Sequence, residues 1–204
     1  MSHAHAGESI VLASNNAGKL REINELLSAE RIRVIPQGEL GVSEAEETGL
    51  SFVENALLKA RNAAAHSGLA AIADDSGIEV DALKGAPGIY SARYAGAGAS
   101  DAANLDHLLA ELRDVREAER TARYQCLMVY MRHAQDPTPV ICQGTWEGRI
   151  LFAPRGENGF GYDPVFYVPE TGCSAAELPS ATKNRLSHRG QALAKLVRYL
   201  RDEA

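Results

Sequence analysis

With 204 residues, 45% hydrophobic and 24% charged, the chain can bury a core and fits one domain, or one domain of two lobes. Its net charge is −6 and it has no run of Lys or Arg, which argues against nucleic acid as its main partner. A polyanionic small molecule recruited through a metal ion stays open. The cysteines Cys126, Cys142 and Cys173 are scattered and form no CxxC pair, so neither a disulfide framework nor a zinc site is expected, and the reducing cytoplasm fits.

Residues 1–9 are small and polar, with His3 and His5 but no apolar segment of a signal peptide; they read as a flexible tail before one domain over 10–204. No stretch is apolar for long enough to span a membrane. Ile10, Val11, Leu12 and Ala13 predict a buried strand that runs into the loop at Ser14. Leu20, Ile23, Leu26 and Leu27 recur at helical spacing, and Ile32, Val34 and Ile35 before Pro36 predict a second strand. Strand, helix, strand implies a βαβ unit and some parallel sheet. After a polar loop over 37–49, Ser51 and Glu54 form a capping box for a helix that reaches Ser67 and stops at Gly68.

Residues 70–73 predict a short buried strand, and 78–81 a separate, alternating one. A Gly- and Ala-rich connection over 84–99 leads to a helix capped by Ser100, with Leu105, Leu108, Leu109 and Leu112 on one face. Residues 123–131 and 139–146 predict a hairpin, 153–163 a loop with three glycines, and 165–168 a last strand. A closing helix after Ser187 carries Leu193, Leu196, Val197 and Leu200. The sum is an α/β protein with helices on a mostly central sheet.

Five segments carry chemistry. Ser14, Asn15, Asn16, Ala17, Gly18 and Lys19 join a strand end to a helix start, where free N–H groups and the helix dipole suit phosphate. It is not a Walker motif, and a capped turn with a solvated lysine is the plainer reading. Asp74-Asp75-Ser76-Gly77 follows the 70–73 strand; it reads as an oxygen-rich Mg²⁺ site or as an Asx turn. Glu44, Glu46 and Glu47 form either a solvated acidic loop or the source of a second metal carboxylate. In the glycine loop over 156–164, either Phe160 is a stacking face for a flat ligand and Asp163 an acceptor for a base edge, or Phe160 and Tyr162 plug the core. Lys183, His188 and Arg189 cluster at the start of the last helix, where cations are unfavourable unless an anion is present.

Together these blocks, with Glu46-Glu47-Thr48-Gly49, the run from Gly85 to Tyr94 and Ser187-His188-Arg189, resemble the inosine triphosphate pyrophosphatase family, the dITP/XTP pyrophosphatases. Bacterial members commonly have Thr-Gly-Asn where this chain has Ser14-Asn15-Asn16. The resemblance implies a two-lobed α/β fold with a long twisted mixed sheet, a cleft between the lobes, a homodimer and Mg²⁺. It implies that residues 14–19 and Ser76 bind substrate and that Asp75 is the catalytic base or metal-organising carboxylate. Glu46 would be the second metal carboxylate, with Glu47 as the alternative. Phe160, Gly161, Tyr162, Asp163, Lys183, His188 and Arg189 would hold the nucleotide, chiefly its base; if His188 and Arg189 form one base pocket with the Phe160 loop, Arg189 is a donor to the 6-oxo group. The expected reaction converts ITP, dITP or XTP to the monophosphate and pyrophosphate, removing them from the nucleotide pool, without nucleic acid or membrane as partner. The rival readings are a nucleotide sensor without turnover and a pyrophosphatase for modified pyrimidine nucleotides.

Overall fold

A computed structural model describes residues 9–28 and 33–202; residues 1–8 of the expected N-terminal tail, with His3 and His5, and Ile32 lie outside these, and Ser9 belongs to the first strand. The described chain forms two compact units. The first comprises residues up to Asp75, then Cys126–Gly144, then residues from Arg189 on; the second comprises Ser76–Gln125 and Thr145–His188.

In the first unit, β1 (Ser9–Leu12), α1 (Ala17–Ser28) and β2 (Arg33–Pro36) make the expected parallel βαβ unit, with Ile10 opposite Val34. The expected cap of α2 forms on Ser51, whose Oγ accepts from Glu54 N, while the Glu54 carboxylate accepts from Leu50 N at 2.9 Å; α2 runs Phe52–Ser67, and Gly68 ends it at a φ of 70°. The chain then enters β3 (Ala70–Val80), which pairs parallel with β1. The helices α1 and α2 connect strands on either side of β1, and right-handed crossovers of that kind lie on opposite faces of a sheet. The cores agree. Ile10, Leu12 and Ile72 pack with Ile23 and Leu27 of α1 and with Leu193, Leu196 and Leu200, whereas Val11, Ala71 and Ala73 pack with Ala56, Ala60 and Ala63 of α2.

One expectation is corrected here. Residues 70–73 and 78–81 are not two strands flanking a turn; β3 runs unbroken through Asp74, Asp75, Ser76 and Gly77. A strand tolerates adjacent buried carboxylates because successive side chains point to opposite faces, so the two charges do not face one another.

In the second unit, the 84–99 connection contains a 3-10 turn over Gly88–Arg93 after a cis Ala86–Pro87 bond. The helix α3 (Asp101–Glu111) follows, capped by Ser100. The expected hairpin strands are β4 (Thr121–Met131) and β5 (Val140–Ile150), both longer than the sequence pattern suggests. Short strands β6 (Phe166–Val168) and β7 (Cys173–Ser174) pair antiparallel. A seven-residue helix α4 (Ser180–Leu186), not anticipated, precedes α5 (His188–Asp202). Leu105, Leu108, Leu112, Tyr124, Trp146 and Phe166 form this unit's own core. Among the described residues the strands form one open mixed sheet in the order β2-β1-β3-β4-β5-β6-β7.

Candidate active site

The first unit gathers charge at the carboxyl end of β1 and at the middle of β3, just past the point where β1 stops pairing with it. Strand order reverses at β1, the location where open α/β sheets bind ligands. After β1, Asn16 caps α1: its Oδ1 accepts from Lys19 N at 3.0 Å, and Ser14 Oγ accepts from Asn16 N at 3.2 Å. The first turn of α1 carries no acidic side chain to answer the helix dipole, and it carries Lys19 instead. Ser14, Gly18 and Lys19 are half-buried; Asn15, Asn16 and Ala17 are exposed, with Asn15 Nδ2 donating to Glu44 at 3.0 Å.

Asp74 continues the Ile72 row, on the side of α1 and α5. Lys19 Nζ lies 3.0 Å from its Oδ2, and Arg189 Nε and Nη2 lie at 3.4 Å. Arg189 also reaches Glu22 of α1 through Nη1. Burial alone would push the Asp74 carboxyl up, but Lys19, Arg189 and Lys59 override it and hold the group well below the usual carboxylate range. The anion that makes cations acceptable at the start of α5 is therefore a pair of protein carboxylates. Arg189, buried and turned to Asp74 and Glu22, differs from the expectation of a base reader. Burial pushes the neighbouring Cys126 thiol up to about 12, so it is no nucleophile at neutral pH.

Asp75 continues the Ala71 and Ala73 row, on the side of α2. Lys59 of α2 puts its ammonium 2.8 Å from Asp75 Oδ1 and 2.9 Å from Glu47 Oε1. Asp75 Oδ2 is buried without a hydrogen-bond partner among the described residues. Burial keeps the Asp75 carboxyl above its ordinary value against the pull of Lys59 and Lys19. Burial also opposes the charge on Lys59, but Asp75, Asp74 and Glu47 outweigh it and raise its pKa. Glu47 is brought here by the turn into α2, where Gly49 N donates to Asn55 Oδ1 at 2.8 Å. A Cβ on Gly49 would lie 2.6 Å from that of Glu54, so only glycine passes. Glu46 is exposed.

These residues suit a hard divalent cation. Asp75 Oδ2 has a lone pair to give, and Glu47 offers a second carboxylate on the same ammonium. Among the described residues no three His, Cys, Asp or Glu side chains cluster to hold a metal by themselves. Mg²⁺ does not require that: it takes one or two carboxylates and fills its shell with water and phosphate oxygens.

The second unit holds the other set. Asp163, buried, accepts from Phe160 N at 2.8 Å and from Lys183 Nζ at 2.7 Å, and Tyr124 OH lies 3.3 Å from its other oxygen. A Cβ on Gly159 (φ 79°) would lie 2.1 Å from Asp163 Oδ2, so glycine is required for this closure. The Lys183 ammonium lies 4.9 Å from the centroid of the half-exposed Phe160 ring. His188 stacks on Tyr124, with centroids 4.6 Å apart and rings 7° from parallel. Asp163, expected to accept from a base edge, spends its oxygens on ordering the loop and holding Lys183. Tyr162 is buried, Gly161 and Ser76 are half-buried, and Tyr162 OH donates to Ser91 O at 2.7 Å.

Lys59, Glu22 and Tyr124 were not singled out from the sequence. Lys59 left a signal: it lies on the helix face of Ala56, Ala60 and Ala63, where a charge needs a reason.

A parallel βαβ unit with an acid-free, lysine-bearing helix start, and a carboxylate held by lysine beside it, defines an α/β protein built for phosphates. The chain belongs to the Ham1 family, whose model matches residues 10–199. It is 63% identical to the dITP/XTP pyrophosphatase of Thioalkalivibrio sulfidiphilus, over 94% of this chain and 97% of that protein. It is 61% identical to the dITP/XTP pyrophosphatase of Vibrio parahaemolyticus, over 94% and 96%. The solved structure of a HAM1 protein from Coxiella burnetii superposes with a TM-score of 0.89 at 50% identity, covering 96% of this chain and 99% of that one.

Proposed function

We propose that this protein is a nucleoside triphosphate pyrophosphatase that hydrolyses ITP, dITP and XTP to the monophosphate and pyrophosphate, clearing non-standard purines from the nucleotide pool. Relatives called dITP/XTP pyrophosphatases support this over nearly the whole chain. The observation that carries it is the Asp75 carboxylate: buried, raised in pKa, held on one oxygen by Lys59 and open on the other. A sensor without turnover needs no such group.

The residues divide the task. Lys19, Ser14, Asn15, Asn16 and the first N–H groups of α1 receive the triphosphate. Asp75 orients the water that attacks the α-phosphorus in line with the leaving pyrophosphate and takes its proton. Asp75 and Glu47 are the carboxylates for Mg²⁺, and Glu47 is favoured over Glu46 by its contact with Lys59. Bound there, the ion would neutralise charge building on the phosphate oxygens. Lys59 fixes the direction of both carboxylates, and Arg189 and Glu22 fix Asp74, which in turn aims Lys19.

The base falls to Phe160, by stacking, and to Lys183, whose ammonium meets the 6-oxo acceptor of hypoxanthine or xanthine. Adenine presents an amino donor there, which sets two donors facing one another and costs the hydrogen bond that a 6-oxo group would make. Gly161, Tyr162, Asp163, His188 and Ser76 shape this part. We also propose a homodimer acting in the cytoplasm, as the family resemblance implies; no helix among the described residues is long and apolar enough to cross a membrane.

The test is a panel of ITP, dITP, XTP, GTP and ATP with Mg²⁺, assayed for pyrophosphate and for orthophosphate. Pyrophosphate from the first three is the expected result. Orthophosphate release, or binding without turnover, would reject the assignment.

A further inference from the structure

The segment over 85–94 and the start of α3 have no part in the chemistry above, yet both hold the base-reading loop. Tyr162 OH donates to Ser91 O, and Ser91 Oγ accepts from Ile78 N at 2.9 Å while donating to Gly88 O at 2.6 Å. Asn104 of α3, buried, receives Ala95 N on Oδ1 at 2.8 Å and donates through Nδ2 to Ala92 O at 3.2 Å. Three residues earlier, on the same helix face, Asp101 Oδ2 accepts from Gly161 N at 2.8 Å. Gly161 has a φ of 62° and directly follows Phe160.

The carboxylate of Asp101 is not needed to cap α3. Ser100 does that, with its Oγ accepting from Ala103 N at 3.2 Å. Nor does exposed Asp101 contribute to the core. Its bond goes outward to a loop whose other closure, Asp163 with Phe160 N, lies one residue before. The two carboxylates grip consecutive N–H groups, and the Phe160 Cα that carries the ring joins the two peptide planes they hold.

We propose that Asp101 is a positioning residue for base recognition: by accepting from Gly161 N it fixes the plane of the Phe160 ring and so sets affinity for the purine base, without touching substrate. This rests on the reading of Phe160 as the stacking face. Asp101 acts as an acceptor rather than as a charge, so asparagine replaces it and alanine does not. Both substitutions remove the same charge from the first turn of α3, so the difference between them isolates the hydrogen bond.

The experiment compares wild type, Asp101→Asn, Asp101→Ala and Phe160→Ala for kcat and KM on ITP and for inhibition by inorganic tripolyphosphate, which has no base. Asp101→Ala should raise KM for ITP about two- to tenfold, the worth of one hydrogen bond. Its kcat and its tripolyphosphate inhibition constant should stay at the wild-type values, and Asp101→Asn should restore KM. Three results overturn the proposal: an unchanged KM in Asp101→Ala, an Asn variant as impaired as the Ala variant, or a tripolyphosphate constant that moves with KM. If Phe160→Ala leaves KM for ITP unchanged, the stacking assignment itself fails; if Phe160→Ala raises KM and Asp101→Ala does not, only the positioning role fails.

Discussion

Replacing Lys59 with methionine keeps the stem that lies along the alanine face of α2 and removes the ammonium. Two charge-assisted hydrogen bonds go, at 2.8 Å to Asp75 and 2.9 Å to Glu47. The Asp75 side chain is 10% exposed and feels nearly the full loss, whereas that of Glu47 is 28% exposed and recovers part of its bond from water. Asp75 can also take up a proton, which caps the penalty of a bare buried charge. The net loss is about 2–4 kcal/mol. For a chain of this size that lowers Tm by roughly 5–15 °C. The catalytic consequence has a definite sign. Asp75 must be ionised to accept a proton, and burial already sets its pKa above the ordinary carboxylate value, so kcat/KM falls as pH drops through that raised pKa. Without Lys59 the charged form loses its main support, so this acid limb moves to higher pH. Thermal melts and a pH profile of kcat/KM on ITP at saturating Mg²⁺ measure both. A Tm unchanged within a degree, or a lower rate with the acid limb in place, would refute the coupling of Lys59 to Asp75.

Asp75→Asn keeps size and burial but cannot accept the proton; kcat should fall by far more than tenfold, about 1.4 kcal/mol, with the folded circular dichroism spectrum intact. A loss smaller than that would assign the water to another group. Arg189→Ala should lower kcat/KM for ITP and ATP by similar factors, because its guanidinium serves Asp74 and Glu22; a selective loss on ITP would put Arg189 on the base instead. Thorough chelation should abolish turnover and added Mg²⁺ should restore it, and full activity in chelator would remove the metal from the account.

Local signals in the sequence carried far. Ser51, Glu54 and Gly68 mark both ends of α2, because capping chemistry acts within one turn and leaves a readable spacing. The apolar runs at 10–13 and 32–35 with a periodic helix between them mark the βαβ unit for the same reason. The long partnerships were not legible. Lys59 meets Asp75, and Arg189 meets Asp74 from 115 residues away, through the order of strands and the face each helix covers, which no local pattern encodes. For that reason an Asx turn stands beside the Mg²⁺ site as a reading of Asp74-Asp75: two adjacent acids are unfit for a strand interior until Lys19 and Arg189 are known to lie on one face and Lys59 on the other. Asp163 and Arg189, read as contacts for the base, have their charges answered inside the protein, since a sequence displays charges but not their partners.

The central claim is that water oriented by Asp75 attacks the α-phosphorus. Turnover of ITP in ¹⁸O-labelled water, followed by mass analysis of both products, tests it most directly. The account predicts one labelled oxygen in the inosine monophosphate and none in the pyrophosphate. Label in the pyrophosphate, or in orthophosphate, would mean that a different phosphorus is attacked and would contradict it.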